Sequence, residues 1–156
     1  DTAGAGGNVV ITAGAGGAGA TNGLAGAIFQ RGLSVFKQGA VTALTTSATL
    51  TVAQVLNGLC TSAQGAAGAA SYTLPTGTQL AAALPAGFTT SDSFLFRMVN
   101  ISTNAAEIAT LVGNTGTTVV GNATLAANNA TTTANTFATW VVRMTGANAF
   151  SFYRVG

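Results

Sequence analysis

Phe137-Ala138-Thr139-Trp140-Val141-Val142-Arg143-Met144 and Phe150-Ser151-Phe152-Tyr153-Arg154, joined through Thr145-Gly146-Ala147-Asn148, decide the fold class of this chain. Both runs are rich in aromatic and β-branched residues, which suit a pleated, half-buried surface. Alternation puts Ala138, Trp140 and Val142 on one face of the first run and Thr139, Val141 and Arg143 on the other. The Gly/Asn-containing link is a natural hairpin turn.

The same signal extends upstream. Phe94-Leu95-Phe96-Arg97-Met98-Val99-Asn100 is an aromatic-rich strand, followed by shorter ones at Glu107–Leu111, Thr117–Val120 and Ala123–Leu125. Leu59-Cys60-Thr61 and Ser71-Tyr72-Thr73-Leu74 also read as strands, and 44–49 is Thr-rich and extended in preference. Two short helices interrupt the series. Thr51-Val52-Ala53-Gln54 is a capping box opening a helix through Leu56 that stops at Asn57-Gly58. A second helix is expected from Gln79 to Leu84, between Pro75-Thr76-Gly77 and Pro85. Short strands punctuated by Gly and Asn predict a mainly β fold, an antiparallel β-sandwich or jelly-roll-like domain over residues 50–156. Its expected core is Trp140, Phe94, Phe96, Phe137, Phe150 and Phe152, each worth about 1.5–3 kcal/mol when buried.

The first 26 residues differ. Nine are Gly and seven are Ala, and Thr2-Ala3-Gly4-Ala5-Gly6-Gly7 returns as Thr12-Ala13-Gly14-Ala15-Gly16-Gly17. The β-branched trio Val9-Val10-Ile11 lies between the copies, so this stretch reads as a stem ordered through stacking between repeats or between chains. Transition strands are expected over residues 27–49, at Ala27–Phe29 and Leu33–Lys37 first. The chain opens at Asp1 inside a repeat, which suggests processing or a longer parent chain.

Composition weighs against catalysis. There is no histidine, one cysteine (Cys60) and three carboxylates, Asp1, Asp92 and Glu107. General acid–base chemistry needs a group tuned near neutrality, usually His or paired carboxylates. A triad has no base, and a zinc site has too few Cys or His ligands. The expectation is therefore no enzyme, no cofactor, and no catalytic, cofactor-binding or metal-binding residue. A ring of Asp92 or Glu107 gathered around a symmetry axis is the one route to a cation, and it would not be a catalyst. Cys60 reads as a buried free thiol.

Only 5% of residues are charged, against about 25% in a typical soluble protein. No run approaches the ~18 apolar residues that span a bilayer, so membrane insertion is not expected. Arg31, Lys37, Arg97, Arg143 and Arg154 are scattered, without the concentrated patch that binds nucleic acid. So few charges leave much of the surface to be covered by copies of the chain or by a larger assembly. Asn100, Asn122 and Asn129 head N-x-[ST] sequons, matches expected by chance in an Asn/Thr-rich chain. The tract 128–136 reads as a solvated loop, and its Thr131–Thr133 run is too short for the flat threonine array of an ice- or glycan-binding module.

Taken in order, these features resemble phage and large-virus structural proteins of the fibre or capsid-decoration type, with Gly-rich repeats before a compact C-terminal β-domain. The marks are Gly6-Gly7-Asn8-Val9-Val10-Ile11-Thr12-Ala13-Gly14 and Arg31-Gly32-Leu33-Ser34-Val35-Phe36-Lys37-Gln38-Gly39-Ala40. Leu74-Pro75-Thr76-Gly77, Phe94-Leu95-Phe96-Arg97, Asn100-Ile101-Ser102 and Thr145–Phe150 running into Tyr153-Arg154 complete the set. The resemblance implies a virion subunit that forms a homotrimer, contacts other virion proteins, and contributes to assembly or to attachment to a host receptor or glycan. A secreted bacterial surface filament or adhesin subunit is the alternative.

Overall fold

The computed structural model describes residues 38–65, 68–129 and 135–156. The Gly/Ala repeat, the strands expected at 27–29 and 33–37, and the 131–133 threonines lie outside the described residues. From Gln38 onward the described chain forms one compact unit.

Its elements follow in order: β1 (Thr42–Leu44), β2 (Ala48–Thr49), α1 (Val52–Leu56), β3 (Leu59–Ser62), β4 (Ala70–Thr73), α2 (Gly77–Ala83), β5 (Ser93–Asn100), β6 (Ala109–Val112), β7 (Thr117–Val120), β8 (Thr124–Leu125), β9 (Phe137–Gly146) and β10 (Ala149–Arg154). The mainly β character and both helices are as expected. α1 begins at the Thr51–Gln54 capping box, in which each side chain receives the other residue's backbone N–H. α2 starts two residues before the expected Gln79, because Thr76 and Gln79 form a second capping box. Pro85 lies just past its end.

The strands form a six-stranded sheet in the order β1-β3-β5-β9-β10-β7 and a four-stranded sheet in the order β2-β4-β6-β8. From β1 to β6 the chain alternates between the sheets. Each new strand is laid parallel beside the one two strands earlier: β3 beside β1, β5 beside β3, β4 beside β2, β6 beside β4. The last third closes this winding. β9 runs antiparallel to β5 and forms a hairpin with β10, β8 is antiparallel to β6, and β7 lies parallel to β10.

The expectation of antiparallel sheets is thus corrected: both sheets are mixed. Parallel neighbours need a crossover of a dozen or more residues, and here each crossover passes through the opposite sheet. Regular spacing of short strands looks the same for a hairpin series and for such a winding. The link at 145–148 does behave as a hairpin turn, with Gly146 opposite Ala149 and a bulge at Ala149/Phe150.

One core fills the space between the sheets. Phe96, Met98, Trp140, Val142, Phe150 and Phe152 come from the larger sheet, and Tyr72, Ala109, Leu111 and Leu125 from the smaller. Leu50, Val55 and Leu80, on or beside the helices, close it. Phe96 stacks on Trp140 at 5.8 Å and meets Phe152 edge-on at 6.2 Å between ring centroids. Two expected core members behave differently. Phe94 is half-buried, edge-on to Phe88. Phe137 is 55% exposed, because the alternation that turns Ala138 and Trp140 inward turns it out. Gly77 is required where α2 meets the β9–β10 turn, since a side chain there would collide with the backbone carbonyls of Asn148 and Gly116.

Candidate binding surface

The outward residues of the larger sheet follow from strand parity. Cross-strand register aligns Val120 with Tyr153, Tyr153 with Val141, and Val141 with Leu95. These four side chains form an apolar row across β7, β10, β9 and β5. Leu95 is 45%, Val120 40% and Tyr153 37% exposed. One row to one side is polar: Thr118, Ser151, Arg143 and Ser93. To the other side lie Thr139, Arg97 and Leu59, and beyond them the exposed Phe137 opposite Val99. Among the described residues of these strands, no carboxylate occupies the outer face.

The smaller sheet presents the opposite chemistry. Its outward residues pair as Thr49 with Thr73, Thr73 with Val112, Ser71 with Thr110, and Thr110 with Thr124. Five hydroxyls surround one valine, a face suited to water. Two outer faces of one domain therefore differ in polarity, and the larger sheet carries the apolar one.

The apolar row runs into a cleft of about 480 Å³ at Leu95, whose other walls include Leu56, Leu84, Pro85, Phe88 and Phe94. The α1 and α2 ends build the far side. A second, smaller hollow of about 330 Å³ lies at the opposite end of β5, among Ala63, Ile101, Ser102, Asn104 and Glu107.

Beneath that hollow is a buried polar network. Gln64 Nε2 donates to Ser62 Oγ at 2.9 Å, and the Ser62 and Tyr72 hydroxyls lie 2.8 Å apart. The Tyr72 hydroxyl in turn donates to the Leu44 carbonyl at 3.3 Å. Ser102 Oγ accepts the Gln64 backbone N–H, and Asn100 Oδ1 accepts that of Ser102. Asn100 Nδ2 donates to the carbonyls of Glu107 and Leu125. Buried polar groups that satisfy one another in this way fix the arrangement of strands. Among the described residues, Gln64 Oε1 and Trp140 Nε1 are the buried side-chain atoms left without a partner.

The residues singled out for chemistry are dispersed. Cys60 is buried, its thiol directed at the Gln54 carbonyl 3.8 Å away. Burial pushes its pKa up to about 11, the reverse of what an activated nucleophile needs. Asp92 precedes β5 and accepts the Thr89 backbone N–H and hydroxyl. Glu107, buried, follows the other end of β5. Eight residues of strand separate the two carboxylates by about 25 Å. Among the described residues no three metal-ligating side chains cluster. Arg154 donates to the carbonyls of Asn122, Thr124 and Phe137 and so ties the two sheets at one end. Of the sequons, Asn100 is buried with its amide engaged on both atoms, and Asn122 is exposed. Among the described residues, no helix is long and apolar enough to cross a membrane.

The outward row was open to recognition in the sequence as the complement of the core pattern. Phe94–Asn100 is apolar at both parities, and a strand whose other parity is also apolar has two faces to cover. Searches against protein-family models, curated proteins and solved structures return no match to this chain.

Proposed function

We propose that the chain is a non-enzymatic structural subunit that works by associating with copies of itself, as a component of a virion. The observation that carries this reading is the contrast between the two outer faces: hydroxyls on the smaller sheet, a partly exposed apolar row on the larger. Monomeric proteins rarely leave such a patch in water unless it is functional. The scarcity of charge supports the same reading, since charge is what keeps lone particles apart. The two sheets enclosing one core are read as a β-sandwich wound in solenoid fashion over β1–β6, a rigid layer suited to position and contact.

The chemistry of the thiol and the carboxylates suits a passive role. The thiol is buried and protonated, and the two carboxylates of this region stand at opposite ends of a strand. The order of the sequence marks, from the repeat to the terminal hairpin, resembles that of fibre or capsid-decoration proteins and supports the virion reading. The experiment is mass measurement by light scattering on the purified full chain at tens of micromolar. A multiple of the chain mass is expected, three copies if the fibre resemblance holds. A clean monomer rejects the proposal.

A further inference from the structure

We propose that the corner of the six-stranded sheet around Leu95 is the docking site for an extended acidic segment of a different chain. The segment carries one large apolar side chain between two carboxylates. This site goes beyond the self-association reading and does not depend on it. It takes one corner of the larger face, away from the Val120–Tyr153 end of the row.

Three features meet at this corner. Arg97 follows Leu95 by two residues on β5, so both face outward. Arg143 follows Val141 by two residues on β9, and Val141 is the cross-strand partner of Leu95. Because β5 and β9 are antiparallel, the two arginines stand on opposite sides of the Leu95–Val141 pair, about 14 Å apart at Cα. Arg97 is exposed, and its guanidinium has no hydrogen-bond or ionic partner among the described residues. Arg143 is half-buried and donates to the neutral Ser91 hydroxyl at 2.8 Å. Beside Leu95 opens the cleft of about 480 Å³, whose walls are all apolar, Leu56, Leu84, Phe88 and Phe94 among them.

Charge, size and spacing choose the occupant. Two copies of this face would bring arginine against arginine. Among the described residues a copy has two acids to offer in return: Glu107 is buried, and Asp92 already accepts from Thr89. The strand lengths give the whole face about 550 Å². That is short of the ~800 Å² per partner of a standard interface between folded proteins, and ample for a segment. Spacing makes the segment extended. Alternate side chains of a strand share a face, so residues i and i+4 stand about 13 Å apart, close to the separation of Arg97 and Arg143. Residue i+2 then rests on the Leu95–Val141 pair at the mouth of the cleft. Carboxylates at i and i+4 match guanidinium geometry, which favours paired hydrogen bonds. A sulfated glycan would answer the arginines and leave the apolar recess empty, and nucleic acid needs a denser basic patch.

The test is anisotropy of a capped, dye-labelled peptide, Gly-Glu-Thr-Phe-Thr-Glu-Gly, titrated with the full chain at low salt. Saturable binding is expected. Gln in place of each Glu should weaken it by about fivefold, the upper end for an exposed ion pair. Ala in place of Phe should weaken it by about tenfold or more. Arg97→Glu should abolish binding of the parent peptide, and a peptide with Lys in place of one Glu should restore it. No saturation with protein in the hundreds of micromolar overturns the proposal. So does equal affinity for the Gln peptides or for the Ala peptide, and these comparisons use the wild-type chain, so no variant need fold. A sulfated oligosaccharide that binds where the peptide does not also overturns it and makes the occupant a glycan. Light scattering on the same sample reads the self-association proposal separately, so either can fail while the other stands.

Discussion

The hydroxyls of Ser62 and Tyr72 meet 2.8 Å apart in the core, one carried by each sheet. This contact is the centre of a relay that starts at Gln64 and ends on the Leu44 carbonyl. Three strands that are distant in sequence, β1, β3 and β4, are held in register by it.

Tyr72→Phe keeps the ring and its packing but leaves the Ser62 O–H without its acceptor, while Ser62 Oγ still accepts from Gln64 Nε2. Loss of a buried hydrogen bond with a partner left behind costs about 1–3 kcal/mol. Urea unfolding should show that loss as a lower midpoint with an unchanged slope. A variant as stable as the wild type would mean that the relay is not held in solution.

Trp140 fills the centre of the core, yet its indole Nε1 has no acceptor. Trp140→Ala should cost about 3–5 kcal/mol through the cavity it opens. Trp140→Phe should cost clearly less, because it removes an unpaired donor as well as volume. Guanidinium unfolding of the two variants side by side checks the ranking. Equal losses would show that the donor is satisfied in solution.

Cys60 carries a pH dependence whose sign follows from its environment. The native thiol has its pKa raised from 9.0 to about 11 by burial. Below pH 9 both folded and unfolded thiols are protonated and there is no contribution. Between about 9 and 11 the unfolded chain ionises and the folded one resists, so native stability falls as pH rises. Cys60→Ala should fall less steeply than wild type across that window. A thiol reagent at pH 8 should react only after denaturant is added, and rapid labelling of the native protein would refute the buried state.

Production in a glycosylating secretory host separates two of the sequons. Asn100 donates to two carbonyls inside the core and accepts from Ser102, so its amide is closed to transfer in the folded chain. Asn122 is exposed, and its Oδ1 accepts the Thr124 backbone N–H. Glycopeptide mass spectrometry should find occupancy at Asn122 and none at Asn100. Occupied Asn100 in folded material would contradict the core placement.

The local structure was largely legible in the sequence. Thr51–Gln54 announces α1, the Phe137–Arg154 hairpin is written in alternation and turn residues, and Trp140, Phe96, Phe150 and Phe152 are core as expected. The Thr76–Gln79 box was equally readable and sets the start of α2. What escaped was pairing. Strand propensity is a property of a few neighbouring residues, whereas parallel or antiparallel company depends on where the chain travels between strands. Phe137 shows the same limit on the scale of one residue, since its size suggests burial and its parity forbids it. Each residue of the outward row was readable as the opposite parity of its strand, but their meeting was not, because Leu95, Val141, Tyr153 and Val120 lie far apart in sequence and align only once β5, β9, β10 and β7 are in order.

The place of β5 between β3 and β9 has a consequence for the protein as it is made. A ribosome releases β1 to β6 first, and all of their mutual pairings are parallel and non-local, the slowest kind to form. Until β9 emerges, β5 has an open edge and an inner face, Phe96 and Met98, with nothing of the C-terminal hairpin to rest on. The nascent chain is therefore most prone to sticking just before the β9–β10 hairpin emerges. Vectorial synthesis makes the final hairpin the closing step, and a chain truncated ahead of Phe137 should be captured by chaperones or aggregate instead of waiting as a folded intermediate.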